Sequence, residues 1–117
     1  MNAHENLVLR LFAVIDAEKW GSLPELCAES ICYERPGYTP IRGISSLVSF
    51  YCRERVVAHG RHDIRGCLGG GNEACCWGQF EGVSRSGRAL SEGFADWYWI
   101  SNGLITRRKT FFYRPAV

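Results

Sequence analysis

Asp96 stands in the run EGFADWYWISNG, residues 92–103, among Phe94, Trp97, Tyr98, Trp99 and Ile100. A carboxylate amid aromatics on a buried strand costs several kcal/mol unless it is paired, hydrogen-bonded or protonated. Its presence therefore implies either a structural partner or a chemical task. Strand alternation puts Phe94, Asp96 and Tyr98 on one face, Tyr33 and Arg35 on one face of SICYERPG, and Trp77, Gln79, Glu81 and Val83 on one face of EACCWGQFEGVS. With Ser86 and Gly87 as a two-residue turn, Trp77 lies opposite Asp96, Gln79 opposite Phe94 and Glu92 opposite Glu81, which gathers these sets on a single face. In the next hairpin a three-residue loop, Ser101-Asn102-Gly103, sets Arg108 across from Asp96, and a two-residue Asn-Gly turn sets Lys109 there instead; the first is the preferred register. It also brings Thr110 and Phe112 to the same face. Burial raises a carboxyl pKa and a neighbouring cation lowers it, so Asp96 is open to three roles: proton acceptor, protonated donor, or anchor of Arg108. The plainest reading is a buried cross-strand ion pair without chemistry.

The elements that must hold these side chains follow from periodicity. Leu7, Val8, Leu11, Phe12 and Ile15 recur at helical spacing behind Asn2 and Glu5 as a cap, and Ser22 with Glu25 frames a short second helix over about 23–28. A strand over about 31–35 stops at Pro36 and Gly37, and a third helix, with Ile44, Leu47, Val48, Tyr51 and Cys52 on one face, runs to about Val57. From Gly60 onward four strand-like segments are separated by GGGN, SRSG and SNG turn signals. The order predicts an α+β fold, helices covering one face of a curved, mainly antiparallel sheet. Gly69, Gly70 and Gly71 suit a hairpin turn better than a phosphate loop, because no helix follows them.

This plan, with YERPGYTPIRGISSLVSFY and GFADWYWISNGLITRRKTFF, resembles the nuclear transport factor 2-like superfamily, and within it the SnoaL-like polyketide cyclases, ketosteroid isomerases and limonene-epoxide hydrolases. The resemblance implies a cone of three N-terminal helices wrapped by a bent sheet around a deep apolar pocket, and it places Arg108, Thr110 and Phe112 inside. Against the ketosteroid isomerases, the oxyanion-hole aspartate falls on Asp96, but the tyrosine donor falls on Leu11 and the proton-moving aspartate on Arg35. Against the limonene-epoxide hydrolases, Tyr33 matches a water-holding tyrosine, Arg35 replaces an asparagine, and the Asp-Arg-Asp set falls on Glu81, Gln79 and Thr110. SnoaL-like aldol chemistry needs fewer fixed partners, which makes it the best match.

The expected catalytic residues are therefore Asp96, Glu81 and Arg108. Tyr33, Arg35, Tyr51, Trp77, Gln79, Phe94, Tyr98, Thr110 and Phe112 are expected to contact the ligand. The expected reaction is cyclisation or isomerisation of a largely apolar, carbonyl-containing metabolite, with epoxide hydrolysis and a non-catalytic binding or assembly module as alternatives. The 117 residues, 46% hydrophobic, provide material for a single domain, and a net charge of +2 without a basic tract points to neither nucleic acid nor a membrane surface. A small-molecule ligand and a homodimer through the outer sheet face are expected. The six cysteines include no C-x-x-C pair, so no metal or other cofactor is expected. Without a signal-peptide pattern or an apolar span, they are read as free thiols in the cytoplasm.

Overall fold

Asn2 starts the first element: its side chain accepts from the Glu5 backbone N–H at 2.9 Å, and the Glu5 carboxylate accepts in return from the Asn2 backbone N–H at 3.2 Å. Helix α1 (Ala3–Asp16) buries Val8, Leu11, Phe12 and Ile15 on one face. The chain, a computed structural model describing residues 2–114, continues through a 3-10 turn (Trp20–Glu25), strands β1 (Cys27–Glu34) and β2 (Ile41–Arg42), and helix α2 (Ile44–Ser49). A π-helical turn (Phe50–Glu54) extends α2, and strands β3 (Val57–Gly70), β4 (Glu73–Ser84), β5 (Ala89–Ser101) and β6 (Leu104–Phe112) complete the fold. One mixed six-stranded sheet results, in the order β2-β1-β6-β5-β4-β3, with β1 parallel to β6 and the other pairs antiparallel. Among the described residues no helix is long and apolar enough to cross a membrane.

Local expectations are corrected at four places, three of them ahead of the last hairpin. The second helix is a 3-10 turn capped by Lys19 without a side-chain bond, so Ser22 and Glu25 form no capping box, and β1 already begins at Cys27. The third helix does not reach Val57, because Arg55 is extended (φ −70°, ψ 151°) and β3 takes over two residues later. The third correction concerns the β4–β5 turn, which spans Arg85, Ser86 and Gly87: Ser84 N–H donates to Arg88 O at 2.8 Å, and Gly87 supplies the positive φ of 87°. A loop one residue longer than expected shifts the register by one, and that flips every side chain of β4 to the opposite face. Cys76 now faces Asp96 and Phe80 faces Glu92, with Ala74, Cys76 and Phe80 buried, whereas Trp77, Gln79 and Glu81 stand on the outer face.

The β5–β6 hairpin has a two-residue turn with Asn102 and Gly103 both at positive φ (52° and 74°), and Ser101 pairs with Leu104. A bulge follows between Trp99 and Ile100, so that Asp96 lies opposite Thr110 and Tyr98 opposite Arg108. Neither expected partner, Arg108 or Lys109, is directly across from Asp96. The bulge restores the parity that the short turn would have broken, leaving Arg108 and Thr110 buried on the Asp96 face. α1 runs back along β3 under this face. Its start is tied there by Asn2 to the Gly69 carbonyl at 2.8 Å and its end by Asp16 to His62.

Candidate active site

β1, β5 and β6 place their inward side chains side by side, and a continuous chain of hydrogen bonds joins them. Asp96, 2% exposed, accepts from the Tyr98 hydroxyl at 2.6 Å and Arg108 Nε at 2.8 Å on Oδ2, and from the Thr110 hydroxyl at 2.6 Å on Oδ1. Thr110 has one proton and gives it to Asp96, so the 2.8 Å bond from Tyr33 must be donated by the tyrosine. Arg35 in turn donates to the Tyr33 oxygen at 3.1 Å. At the other end Arg108 donates through a terminal nitrogen to the Tyr51 hydroxyl at 2.6 Å.

The electrostatics follow from this geometry. Burial works against the Arg108 charge, but Asp96, and after it Tyr33, Tyr51 and Tyr98, outweigh burial and raise its pKa well above the ordinary value. Burial likewise raises Tyr98, and the charge of Asp96 adds to it, so that hydroxyl keeps its proton and donates. Tyr51 is pushed up to about 12 by burial, against the pull of Arg108. It accepts from Arg108 and retains its own O–H as a donor.

Ile15, Arg35, Tyr51, Arg55, Val57, His62, Phe80, Phe94, Asp96, Arg108, Thr110 and Phe112 enclose a cavity of about 20 Å³, room for a single water molecule. Of the expected residues, Arg35, Tyr51, Phe94, Asp96, Arg108, Thr110 and Phe112 reach this wall, and Tyr33 and Tyr98 lie just behind it in the network. Glu81, Gln79 and Trp77 do not. Gln79 donates to the Ser91 hydroxyl at 3.0 Å and Ser91 to Glu81 at 3.0 Å on the outer surface, where Trp77 is 44% exposed. Glu92, expected opposite Glu81, instead pairs with Phe80 across the strands, is buried on the inner face and is bound to Arg114 at 3.0 Å.

Two polar wall residues stand outside the expected site set. His62 Nδ1 lies 2.6 Å from Asp16 Oδ1, and its backbone N–H donates to Asp16 Oδ2 at 2.9 Å. An ionised carboxylate only accepts, so the neutral ring carries its proton on Nδ1 and keeps a lone pair on Nε2, which forms no hydrogen bond among the described residues. Phe12, Phe80 and Phe94 pack on the ring at centroid distances of 4.7, 4.8 and 5.3 Å. This burial lowers the His62 pKa despite the Asp16 bond. The second is Arg55, 4% exposed, seated over the rings of Trp20 and Tyr51. For Asp16 a weak signal existed, since it lies one helical turn beyond Phe12 on the buried face of α1.

A SnoaL-like domain profile matches residues 8–108. The chain belongs to the SnoaL-like domain family. Among solved structures, this SnoaL-like chain is similar to an NTF2-like protein of unknown function from Burkholderia pseudomallei K96243, with a TM-score of 0.85, 14% identity and coverage of 96% of this chain and 92% of that one. A protein named as a SnoaL-like polyketide cyclase from Jannaschia sp. CCS1 gives 0.79 at 13% identity, covering 92% and 83%. An LEH-like epoxide hydrolase from M. tuberculosis gives 0.82 at 14%, covering 94% and 82%. No curated protein matches the sequence significantly. Identities this low establish the SnoaL-like fold, and the chemistry must be argued from the residues.

Proposed function

We propose that this SnoaL-like protein is an acid/base enzyme that cyclises or isomerises a small, largely apolar, carbonyl-containing metabolite. The observation that carries the reading is that a His62–Asp16 pair and the Asp96–Arg108–Tyr51 network border the same buried cavity. Neutral His62 removes a proton next to the substrate carbonyl through Nε2, while Asp16 fixes the tautomer and supports the imidazolium that forms. Negative charge growing on the carbonyl oxygen is met by the Tyr51 O–H and by Arg108, which has five N–H groups and uses two of them among the described residues. Asp96, with both oxygens occupied by donors, acts through Arg108 as a positioning residue. Admitting a metabolite larger than one water requires the wall to open, and Phe112 is a half-buried member of it.

The test is exchange of protons next to the carbonyl in a panel of β-dicarbonyl compounds in D2O, followed by NMR. His62→Gln should keep the fold and lower the exchange rate by ~10²–10⁴-fold, the usual contribution of a positioned base. Exchange at the wild-type rate in that variant removes the reading. A second reading, opening of an epoxide by water, is favoured by the cavity's size: it admits one water beside His62. Incorporation of ¹⁸O from labelled water into a diol product would select it. We further propose a homodimer joined through the outer sheet face, where Trp77, Trp97 and Phe111 are 44%, 42% and 45% exposed.

A further inference from the structure

Arg55 is the cavity-wall group that the network above leaves unused. It is 4% exposed, its Nε is buried with no acceptor, and its guanidinium makes no hydrogen bond or ion pair among the described residues. What it touches are the rings of Trp20 and Tyr51, with centroids 5.3 and 5.2 Å from its central carbon. Such contacts offset only part of the cost of taking a guanidinium out of water. The carboxylate whose charge reaches it, Glu18, is bound to His59 at 2.6 Å on the surface. Arg35 and Arg85 add positive charge nearby, and burial above all lowers the Arg55 pKa. Among the described residues that line the wall, Asp96 is the single carboxylate, and Arg108 engages it.

We propose that the cavity takes an organic carboxylate, whose carboxylate group seats on Arg55 within the positive field of Arg35. The inference rests on the reading of this cavity as the substrate site and names the substrate class: an acid that also bears a carbonyl. A planar carboxylate matches the fork of a guanidinium, and Ile15, Val57, Phe80, Phe94 and Phe112 suit the apolar remainder. A planar monoanionic carboxylate costs less to strip of water beside this largely apolar wall than a strongly hydrated phosphate.

The experiment follows the Arg55 Nε–H resonance of ¹⁵N-labelled protein in low-chloride buffer, assigned by its loss in Arg55→Lys, as acetate is added. A saturable shift is expected with acetate, none with acetamide, and a weaker response with inorganic phosphate. Arg55→Met, followed through its backbone amide resonances because the Nε–H is gone, should bind acetate on the order of 10-fold more weakly. With no acetate present its Tm should be no lower than wild type, since it loses no internal hydrogen bond or ion pair. No saturable shift, an equal response to acetamide, tighter binding of phosphate, or wild-type acetate affinity in Arg55→Met each overturns the proposal. Should Arg55→Met fail to fold, the three-probe comparison on the wild-type protein still decides. Because binding is read without turnover, a missing acetate response beside His62-dependent exchange removes this inference alone, and the reverse pair of results removes only the catalytic one.

Discussion

Asp96 accepts three side-chain hydrogen bonds at 2.6, 2.6 and 2.8 Å, which is why so buried a carboxylate is tolerated. Asp96→Asn removes the charge that balances Arg108, and urea denaturation should show a loss of about 3–5 kcal/mol, as expected when a buried pair loses one partner. A loss under about 1 kcal/mol would show that Arg108 finds another counter-charge. His62 sets the acid flank of stability. Burial holds its folded pKa below the ordinary 6.5, so between that lowered value and 6.5 the unfolded chain binds more protons. The contribution is complete above pH 6.5 and declines as pH falls below it. Cys27 and Cys76 set the alkaline flank, since burial pushes them up to about 11 and about 12 from 9.0. Above pH 9.0 the unfolded chain gives up protons that the folded chain holds, and stability falls as pH rises toward 12. Denaturation midpoints should therefore peak between these flanks, and His62→Gln should flatten the acid one.

At the scale of elements, the close approach of strands β3 and β4 depends on glycine. A Cβ on Gly78 would meet the backbone carbonyl of Asp63 well inside van der Waals contact, whereas one on Gly70 meets nothing within 4 Å. Gly78→Ala should cost about 1–3 kcal/mol or more, because a backbone atom cannot step aside as a side chain can. Gly70→Ala should leave stability within about 0.5 kcal/mol. Equal effects in thermal denaturation would show that β3 moves freely against β4. Turn chemistry has a comparable reach here: the three-residue β4–β5 turn determines that Phe80 rather than Gln79 faces the cavity.

Over the whole molecule, the outer sheet face carries the exposed aromatic surface. Strand pairing sets Trp77 beside Ala95, Ala95 beside Phe111 and Trp97 beside Lys109, which makes one contiguous patch. Burying it against a second copy removes apolar area from water, and light scattering should report twice the 13.2 kDa chain mass. Trp97→Glu places a charge in that interface and should yield monomers that keep the fold. A wild-type protein that is monomeric at all concentrations would end the dimer proposal.

The sequence by itself determined the first helix with its Asn2–Glu5 cap, the run of strands after residue 60 and the SnoaL-like likeness, because these rest on short-range periodicity, capping and turn residues. It also singled out Asp96, whose chemistry conflicts with its surroundings. Which residues meet it was decided only by tertiary structure. Trp77, Gln79 and Glu81 lost their place on the cavity side to a single additional turn residue, while Arg108 and Thr110 kept theirs through a compensating bulge at Trp99 and Ile100. His62 and Asp16 are 46 residues apart and meet because α1 lies along β3. No local pattern encodes such a contact: packing the helix onto the curved sheet creates it, and the same packing removes the water that would otherwise level these charges.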